Sequence, residues 1–170
     1  MSEQQHPFIE YLEKLRDNEE RGALAALRRG LGQPVGSAHE MYRYIVPWLD
    51  DQSSAAQEEG YFLVASLFAY HPQPGGVGNL GASFARARDP QGDDTAIERR
   101  FTALLSAHRE DLPFYLRQAI SFLRAKEVPV DYHQLLRDLW AWERDYVQRN
   151  WAKAFWGRTP KPEEAPEQAG

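Results

Sequence analysis

The chain contains no cysteine among its 170 residues. This absence excludes disulfide bonds, thiolate nucleophiles and thiolate-ligated zinc. No stretch approaches the roughly 18 consecutive apolar residues of a membrane-spanning helix. The first residues combine neither a basic start nor an apolar segment of the kind that targets a chain for secretion. We therefore expect a soluble protein, most simply a cytoplasmic one that contacts no membrane.

Strict alternation of apolar and polar residues, the pattern of a half-buried strand, is also lacking. Apolar residues instead recur at every third or fourth position, as they do along one face of a helix. The sequence predicts an all-α fold of eight or nine helices in two small packed bundles. We predict one helical domain over residues 1–158, with a boundary between two lobes near 89–95, followed by a disordered tail over 159–170.

Capping and turn residues predict where these helices begin and end. Pro7 suits the first turn of the first helix, Ser53 or Ser54 can cap the fourth, and Thr95 with Glu98 matches a capping box for the sixth. A long last helix is predicted to open at Asp131, with a break near Asn150 left open.

Aromatic residues are concentrated late in the chain, where four of the five tryptophans lie. Leu135, Leu139, Trp142 and Tyr146 recur at helical spacing on the predicted last helix. Although aromatic residues near arginine can stack on bases, this spacing favours a face buried in the core.

Constellations typical of enzymes are missing as well. The five histidines are scattered, without a second ligand at the helical spacing of a zinc site, and no Gly-x-Ser-x-Gly turn carries a serine nucleophile.

Gly76, Gly78 and Gly81 match the dinucleotide-binding fingerprint. The fingerprint needs a strand that leads directly into the turn, but here the segment 71–74 separates the glycines from the preceding apolar run. We expect a helix-capping turn there, and leave open that its backbone N–H groups approach a phosphate. The sequence thus predicts no catalytic residue, no metal, no cofactor and no enzyme activity.

Arginine is what the chain has in abundance, with 16 arginines and 4 lysines among its 20 basic residues. The planar donor fork of arginine holds phosphate better than the point charge of lysine. The net charge of −5 is unlike that of a free-standing nucleic-acid binder. Acids, however, are concentrated in residues 1–20 and in the segments 50–60 and 89–98, whereas 21–49 and 99–158 carry more bases than acids. This distribution indicates a local cationic face on an acidic protein.

Two arginine pairs stand beside apolar helical repeats, at residues 28–29 and 99–100. Because adjacent residues on a helix point about 100° apart, one member of each pair could instead form a salt bridge. On any single helix, exposed arginines are ordinarily explained as part of a face that contacts solvent. Here arginines line such faces on four helices while the acids lie in loops, and this repetition favours binding of a polyanion.

At these residues the sequence resembles the CasB family, the small subunit of the type I-E Cascade complex that carries CRISPR RNA. Each matching motif is short, but their order and spacing together are specific, and they extend over about residues 7–157. The motifs are Leu27-Arg28-Arg29, Met41-Tyr42-Arg43 through Pro47, Gly78-Asn-Leu-Gly81, Glu98-Arg99-Arg100-Phe101 through Leu104-Leu105, His108-Arg109, Leu116-Arg117, the segment from Asp131 to Trp140, and Trp151-Ala-Lys-Ala-Phe-Trp-Gly157.

The resemblance implies a non-catalytic helical protein that is present as two copies placed head to tail along the complex. It implies the backbone and large subunits as partners, and crRNA and target DNA as bound nucleic acids, with the subunit stabilising the heteroduplex and the displaced strand of the R-loop. Since guide pairing reads the sequence, phosphate contacts suffice for such a subunit. The predicted phosphate-binding residues are Arg28, Arg29, Arg43, Arg99, Arg100, Arg109, Arg117 and Arg144.

The alternative is a structural adaptor whose arginine faces bind acidic protein surfaces rather than nucleic acid. Salt-dependent retardation of single-stranded DNA or RNA distinguishes the two hypotheses, because only the first predicts it.

Removal of residues 160–170 is expected to leave folding intact and nucleic-acid binding undiminished. This segment has three prolines, three acids and one base and almost no apolar side chain, so it cannot contribute to a core. Thermal melting and electrophoretic retardation of the truncated chain test this expectation. A fall of several degrees in the melting temperature would contradict it.

Overall fold

The structure is a computed structural model that describes residues 5–157, and over that range it contains helices and turns but no strand. The all-α prediction is confirmed. The described residues form nine α-helices, numbered α1 (Pro7–Asp17), α2 (Arg21–Arg28), α3 (Tyr42–Ile45), α4 (Ala55–Tyr70), α5 (Leu80–Arg86), α6 (Thr95–Leu105), α7 (Leu112–Ala125), α8 (Tyr132–Trp140) and α9 (Tyr146–Trp156). None of them is both long enough and apolar enough to cross a bilayer. The predicted tail, 159–170, lies outside the described residues.

Side-chain caps begin several helices where the sequence predicts. Pro7 occupies the first turn of α1, as predicted. The hydroxyl of Ser54 accepts a hydrogen bond from the Gln57 N–H, and the Gln57 side chain accepts one from the Ser54 N–H, so that a capping box opens α4. The Asp131 carboxylate accepts hydrogen bonds from two backbone N–H groups of α8. These bonds satisfy donors that the first turn of a helix otherwise leaves unpaired.

The predicted capping box at Thr95 and Glu98 is wrong. Thr95 is the first residue of α6, and both its backbone N–H and its hydroxyl donate to the Asp93 carboxylate, at 2.9 and 2.6 Å. The hydroxyl is therefore engaged by the preceding turn and does not cap the helix. The carboxylate of Asp93, two residues upstream, accepts the hydrogen bond of the hydroxyl that was predicted to cap the helix.

The predicted single last helix is also wrong, because the chain turns between Trp140 and Tyr146 and not near Asn150. This turn brings the Trp151 indole onto a carboxylate of α8, where its Nε1 donates to Asp138 at 2.8 Å. The turn also leaves Tyr146, predicted to be buried, 45% exposed. Two short helices that pack on different neighbours thus replace one long apolar stripe.

Helix α4 lies at the centre of the first group of helices. Half of its 16 residues are buried, and it packs against α1, α2 and α8, with a further contact to α7. A helix that is apolar on every side is expected to be surrounded by protein. Helix α4 thereby fixes the helices around it.

The second group consists of α5, α6, α7 and α9. Helix α5 packs against α9 and α6, and α6 packs against α7. Helix α5 comes before the segment 89–95 in the chain, but it packs against α6 and α9, which come after that segment. Helix α8 also comes after it and packs against α4, which comes before it. The buried apolar side chains of both groups form one continuous core. The division into two lobes near 89–95 stays a prediction.

Gly81 allows α5 and α9 to approach each other closely. A Cβ at this position would overlap the backbone carbonyl of Trp151. Gly78 has a φ of +86°, which favours glycine in the turn before α5. The run before these glycines belongs to helix α4 and not to a strand. The glycine spacing therefore reflects a turn and helix packing, and the context that a dinucleotide fingerprint needs is missing.

Gly81→Ala is expected to destabilise the fold by about 2 kcal/mol or more, because the clash is with backbone that cannot rotate away. Gly22→Ala on α2 is the matched control, since a Cβ there meets nothing within 4 Å. Alanine has the higher helix propensity, so this control is expected to be neutral or stabilising. Equal unfolding midpoints of the two variants in urea would contradict the close α5–α9 packing.

Candidate nucleic-acid interface

The eight arginines predicted to bind phosphate lie on several helices and turns. Seven are exposed, and Arg109 is partly buried. Arg28 ends α2 and Arg29 follows it, Arg43 lies on α3, Arg99 and Arg100 on α6, Arg109 in the turn before α7, Arg117 on α7, and Arg144 between α8 and α9. The packed helices fix the backbone of most of these residues and leave the side chains to reach outwards.

Within each adjacent pair, the two arginines differ in what they contact. Arg28 donates to the backbone carbonyl of Ala69 at 3.3 Å, and the Arg100 guanidinium lies 5.2 Å from the centre of the Phe122 ring. Arg29 and Arg99 have neither an ion pair nor a side-chain hydrogen bond among residues 5–157. One member of each pair therefore contacts the protein, through a carbonyl or a ring, and the other makes no such contact among residues 5–157.

Arg109 is held by the fold. Its Nη2 donates to the backbone carbonyl of Leu139 at 3.0 Å, and its Nε lies 3.2 Å from a Glu143 carboxylate oxygen, without the geometry of a hydrogen bond. Only 26% of the side chain is exposed. Arg109 thus joins the start of α7 to the end of α8, and a phosphate would have to compete with contacts already made.

A cavity of ≈ 790 Å³ brings Arg109 and Arg117 together beside the loop 30–36. Its walls also carry the carboxylates of Glu59, Glu110 and Glu143. Since carboxylates outnumber guanidinium groups here, the cavity is a poorer environment for a polyanion than its arginines alone indicate.

A second depression, which we call the α6–α7 groove, has cations without acids. Its walls include Arg99, Arg100 and Ala103 of α6 and Phe114, Tyr115 and Gln118 of α7, and no carboxylate lines it. Phe114 is 58% exposed. It is not among the residues predicted from the sequence. The signal that could have found it is its position, since Phe114 lies off the face, with Leu112 and Leu116, by which α7 is buried.

Arg28, Arg29, Arg43 and Arg144 line neither the cavity nor the groove. The structure therefore groups four of the eight predicted residues into two neighbouring depressions and leaves the other four as separate surface cations. The Arg43 guanidinium lies 5.5 Å from the ring centre of its neighbour Tyr44.

Two acids at the start of α6 form ion pairs with Arg88, a residue that was not predicted to bind phosphate. Arg88 lies 3.6 Å from the Asp94 carboxylate and 3.9 Å from that of Glu98, with its guanidinium 3.9 Å from the centre of the Phe155 ring. The two carboxylates pair with Arg88, and neither Arg99 nor Arg100 has an ion pair among the described residues.

Three of the histidines serve the fold, as the scattered spacing predicts. The ring of His6 accepts from the Phe8 N–H, and His133 Nδ1 accepts from the His6 N–H at 2.8 Å. His71 Nε2 lies 2.7 Å from the Val128 carbonyl oxygen. Burial lowers the pKa of both His6 and His71. Within residues 5–157, no three histidine or acidic side chains are grouped so that they could hold a metal.

Comparison with known proteins identifies the family of this helical arrangement. The family model of CRISPR-associated protein Cse2 matches residues 23–156. The chain belongs to the Cse2 family. The resemblance to CasB noted in the sequence is thereby confirmed, since solved relatives carry that name.

Relatives of this family are similar over nearly the whole chain. A CRISPR-associated protein Cse2 of Thermus thermophilus is 34% identical over an alignment of 163 residues, and the match covers 92% of this chain and 92% of that protein. The crystal structure of CasB from Thermus thermophilus is 30% identical with a TM-score of 0.73, and the match covers 91% of this chain and all of that one. A chain of a CRISPR RNA-guided surveillance complex is 25% identical with a TM-score of 0.72, over 96% of this chain and 95% of that chain.

Arg109→Ala is expected to lower the free energy of unfolding by about 1 to 2 kcal/mol, because it leaves the Leu139 carbonyl without its donor and removes a half-buried stem. Arg99→Ala, the matched control without such contacts, is expected to change it by less than about 0.5 kcal/mol. Thermal or urea unfolding checks both. A control as destabilised as Arg109→Ala would show that Arg99 also serves the fold.

Proposed function

We propose that this chain is the non-catalytic, nucleic-acid-binding small subunit of a type I-E Cascade surveillance complex. Membership of the Cse2 family and similarity to a chain of a CRISPR RNA-guided surveillance complex support this role. In it, two copies placed head to tail contact the backbone and large subunits. They clamp phosphate backbones and so stabilise the crRNA, the target heteroduplex and the displaced strand.

The observation that carries the proposal is that most of the predicted arginines have no carboxylate partner within the described part of the chain. Of the eight, only Arg109 has a carboxylate within 4.0 Å among the described residues. The chain is not short of acids, since it has 25 against 20 bases. Ion pairs form instead at other arginines, such as Arg16 and Arg88. Exposed guanidinium groups left without acids are ready to exchange water for phosphate oxygens.

Backbone contacts of this kind suit a subunit that reads no sequence. Phosphate contacts position a protein on a nucleic acid without distinguishing bases, and in guided complexes the base pairs supply the specificity. The overall charge of −5 weakens binding by the isolated chain. Assembly compensates for this weakness, because neighbouring subunits hold the arginines at a high local concentration next to the strands.

Arg29→Glu and Arg99→Glu are expected to weaken binding of single-stranded DNA and RNA by the full chain, with little change in the melting temperature. The lost phosphate contact is expected to lower the slope of log affinity against log salt by about 0.7 in each case. All sequences are expected to weaken alike. Arg28 and Arg100 are less suitable positions, since each also contacts the protein.

Arg21→Glu is the matched control, because Arg21 is 88% exposed and the substitution changes the net charge equally. It is expected to retain most of the binding, and alanine at 29 and 99 separates lost contact from added repulsion. If both glutamate variants bind single strands as the unmodified chain does but fail to co-purify with the other subunits and crRNA, the arginines contact acidic protein. The adaptor hypothesis then replaces this proposal.

A further inference from the structure

Phe114 is unusual among the large side chains of the protein because it combines exposure with cationic neighbours. With 58% of its surface accessible, it is more exposed than any of the other aromatic side chains among residues 5–157. It is also the one residue that lines both the α6–α7 groove and the Arg109–Arg117 cavity. Phe114 thus forms a ridge with arginines on either side.

The aromatic surface at this ridge is larger than one ring. The rings of Phe114 and Tyr115 contact each other edge to face, with centres 5.2 Å apart. The α6–α7 groove beside them has a volume of ≈ 290 Å³, at the small end of the range for ligand pockets. The groove therefore suits a single planar group.

Charge indicates what kind of planar group fits. Arg99 and Arg100 border the α6–α7 groove and no carboxylate does. Neither arginine has an ion pair among the described residues, and the Arg100 guanidinium lies 5.2 Å from the centre of the Phe122 ring. An occupant that is aromatic in one part and anionic in the next matches this arrangement, and a single-stranded nucleic acid alternates these two parts along its length.

We propose that the α6–α7 groove binds one unstacked nucleobase of a single strand, with Phe114 as the stacking surface and Arg99 and Arg100 on the flanking phosphates. The amide of Gln118, in the same groove, offers both a donor and an acceptor to the edge of the base. Every base has a π-face, so stacking of this kind tolerates any sequence. The inference rests on the proposed function and adds a base contact to its phosphate contacts.

A duplex would not use this site, since its bases are already stacked on each other. The ligand is therefore an unpaired segment, and the same chemistry is present in single-stranded RNA and DNA. An apolar protein segment would fill the groove without using its two arginines, and an acidic segment would use the arginines without needing the exposed ring. The combination of ring and cations favours the nucleic acid.

The test compares a thymidine oligonucleotide with an abasic oligonucleotide of the same length, which keeps the phosphates and lacks the bases. The unmodified full chain at low salt is expected to bind the thymidine strand at least about five-fold more tightly. Phe114→Leu, which keeps apolar bulk without a π-face, is expected to abolish this preference and leave the salt slope unchanged. A uridine oligoribonucleotide in a parallel series distinguishes RNA from DNA as the source of the base.

Two further variants make the result specific. Phe114→Trp restores an aromatic face and is expected to retain the preference for bases. Val77→Ala, which trims a side chain that is 64% exposed elsewhere on the surface, is expected to behave like the unmodified chain. Circular dichroism confirms that each variant is folded.

The outcomes separate this inference from the proposed function. A Phe114→Leu variant that still prefers bases over abasic sites overturns the stacking site while leaving the phosphate contacts standing. So does a variant with unchanged strand binding that fails to enter the complex, because the groove then binds protein. If the unmodified chain binds neither strand at low salt, the proposed function fails and this inference fails with it.

Discussion

The burial of α4 on nearly every side is the constraint on which the other elements depend. Half of its residues are buried, and each valine, leucine or phenylalanine side chain among them stabilises the fold by about 1.5 to 3 kcal/mol. Helices α2 and α7 pack against it, and α6 packs against α7. The backbones that carry Arg28, Arg99, Arg100 and Arg117 are therefore rigid before any ligand arrives. Binding a phosphate then requires ordering of side chains but not of the backbone.

The same residue type serves two purposes in this protein. Arg88 and Arg109 use their guanidinium groups on carboxylates, rings and carbonyls within the molecule, and so hold segments together. Arg29 and Arg99 have no such partner within the described residues. What separates the two classes is whether a carbonyl, ring or carboxylate lies within reach of the guanidinium group. Composition alone does not reveal this difference.

The proposed function reconciles the net charge of −5 with nucleic-acid binding, because the arginines act locally. Asp94, just before α6, and Glu98, in its first turn, lie within ion-pair distance of Arg88, and no carboxylate lines the α6–α7 groove. The remaining negative charge opposes association with unrelated polyanions at long range, while unpaired guanidinium groups act at contact distance. Under the proposed function, such a subunit binds strands that other subunits have already brought close more tightly than it binds free nucleic acid.

The sequence by itself determined the helical class and the beginnings of α1, α4 and α8, because these features depend on local periodicity and on residues within one turn of each other. It also located the arginines beside apolar repeats. It failed at Thr95, where a neighbouring carboxylate took the hydroxyl, and at the turn after Trp140, where a contact between distant segments outweighed a continuous helical pattern.

Only the tertiary structure decided which arginines are free. Arg28 and Arg29 are equivalent in the sequence, yet one reaches a carbonyl 41 residues away and the other has no such contact among residues 5–157. The structure likewise decided that Phe114 stands exposed between two arginine-lined depressions. Both outcomes depend on how separate helices pack, and the distance between two side chains on different helices is set by the whole core and not by the residues next to them in the chain.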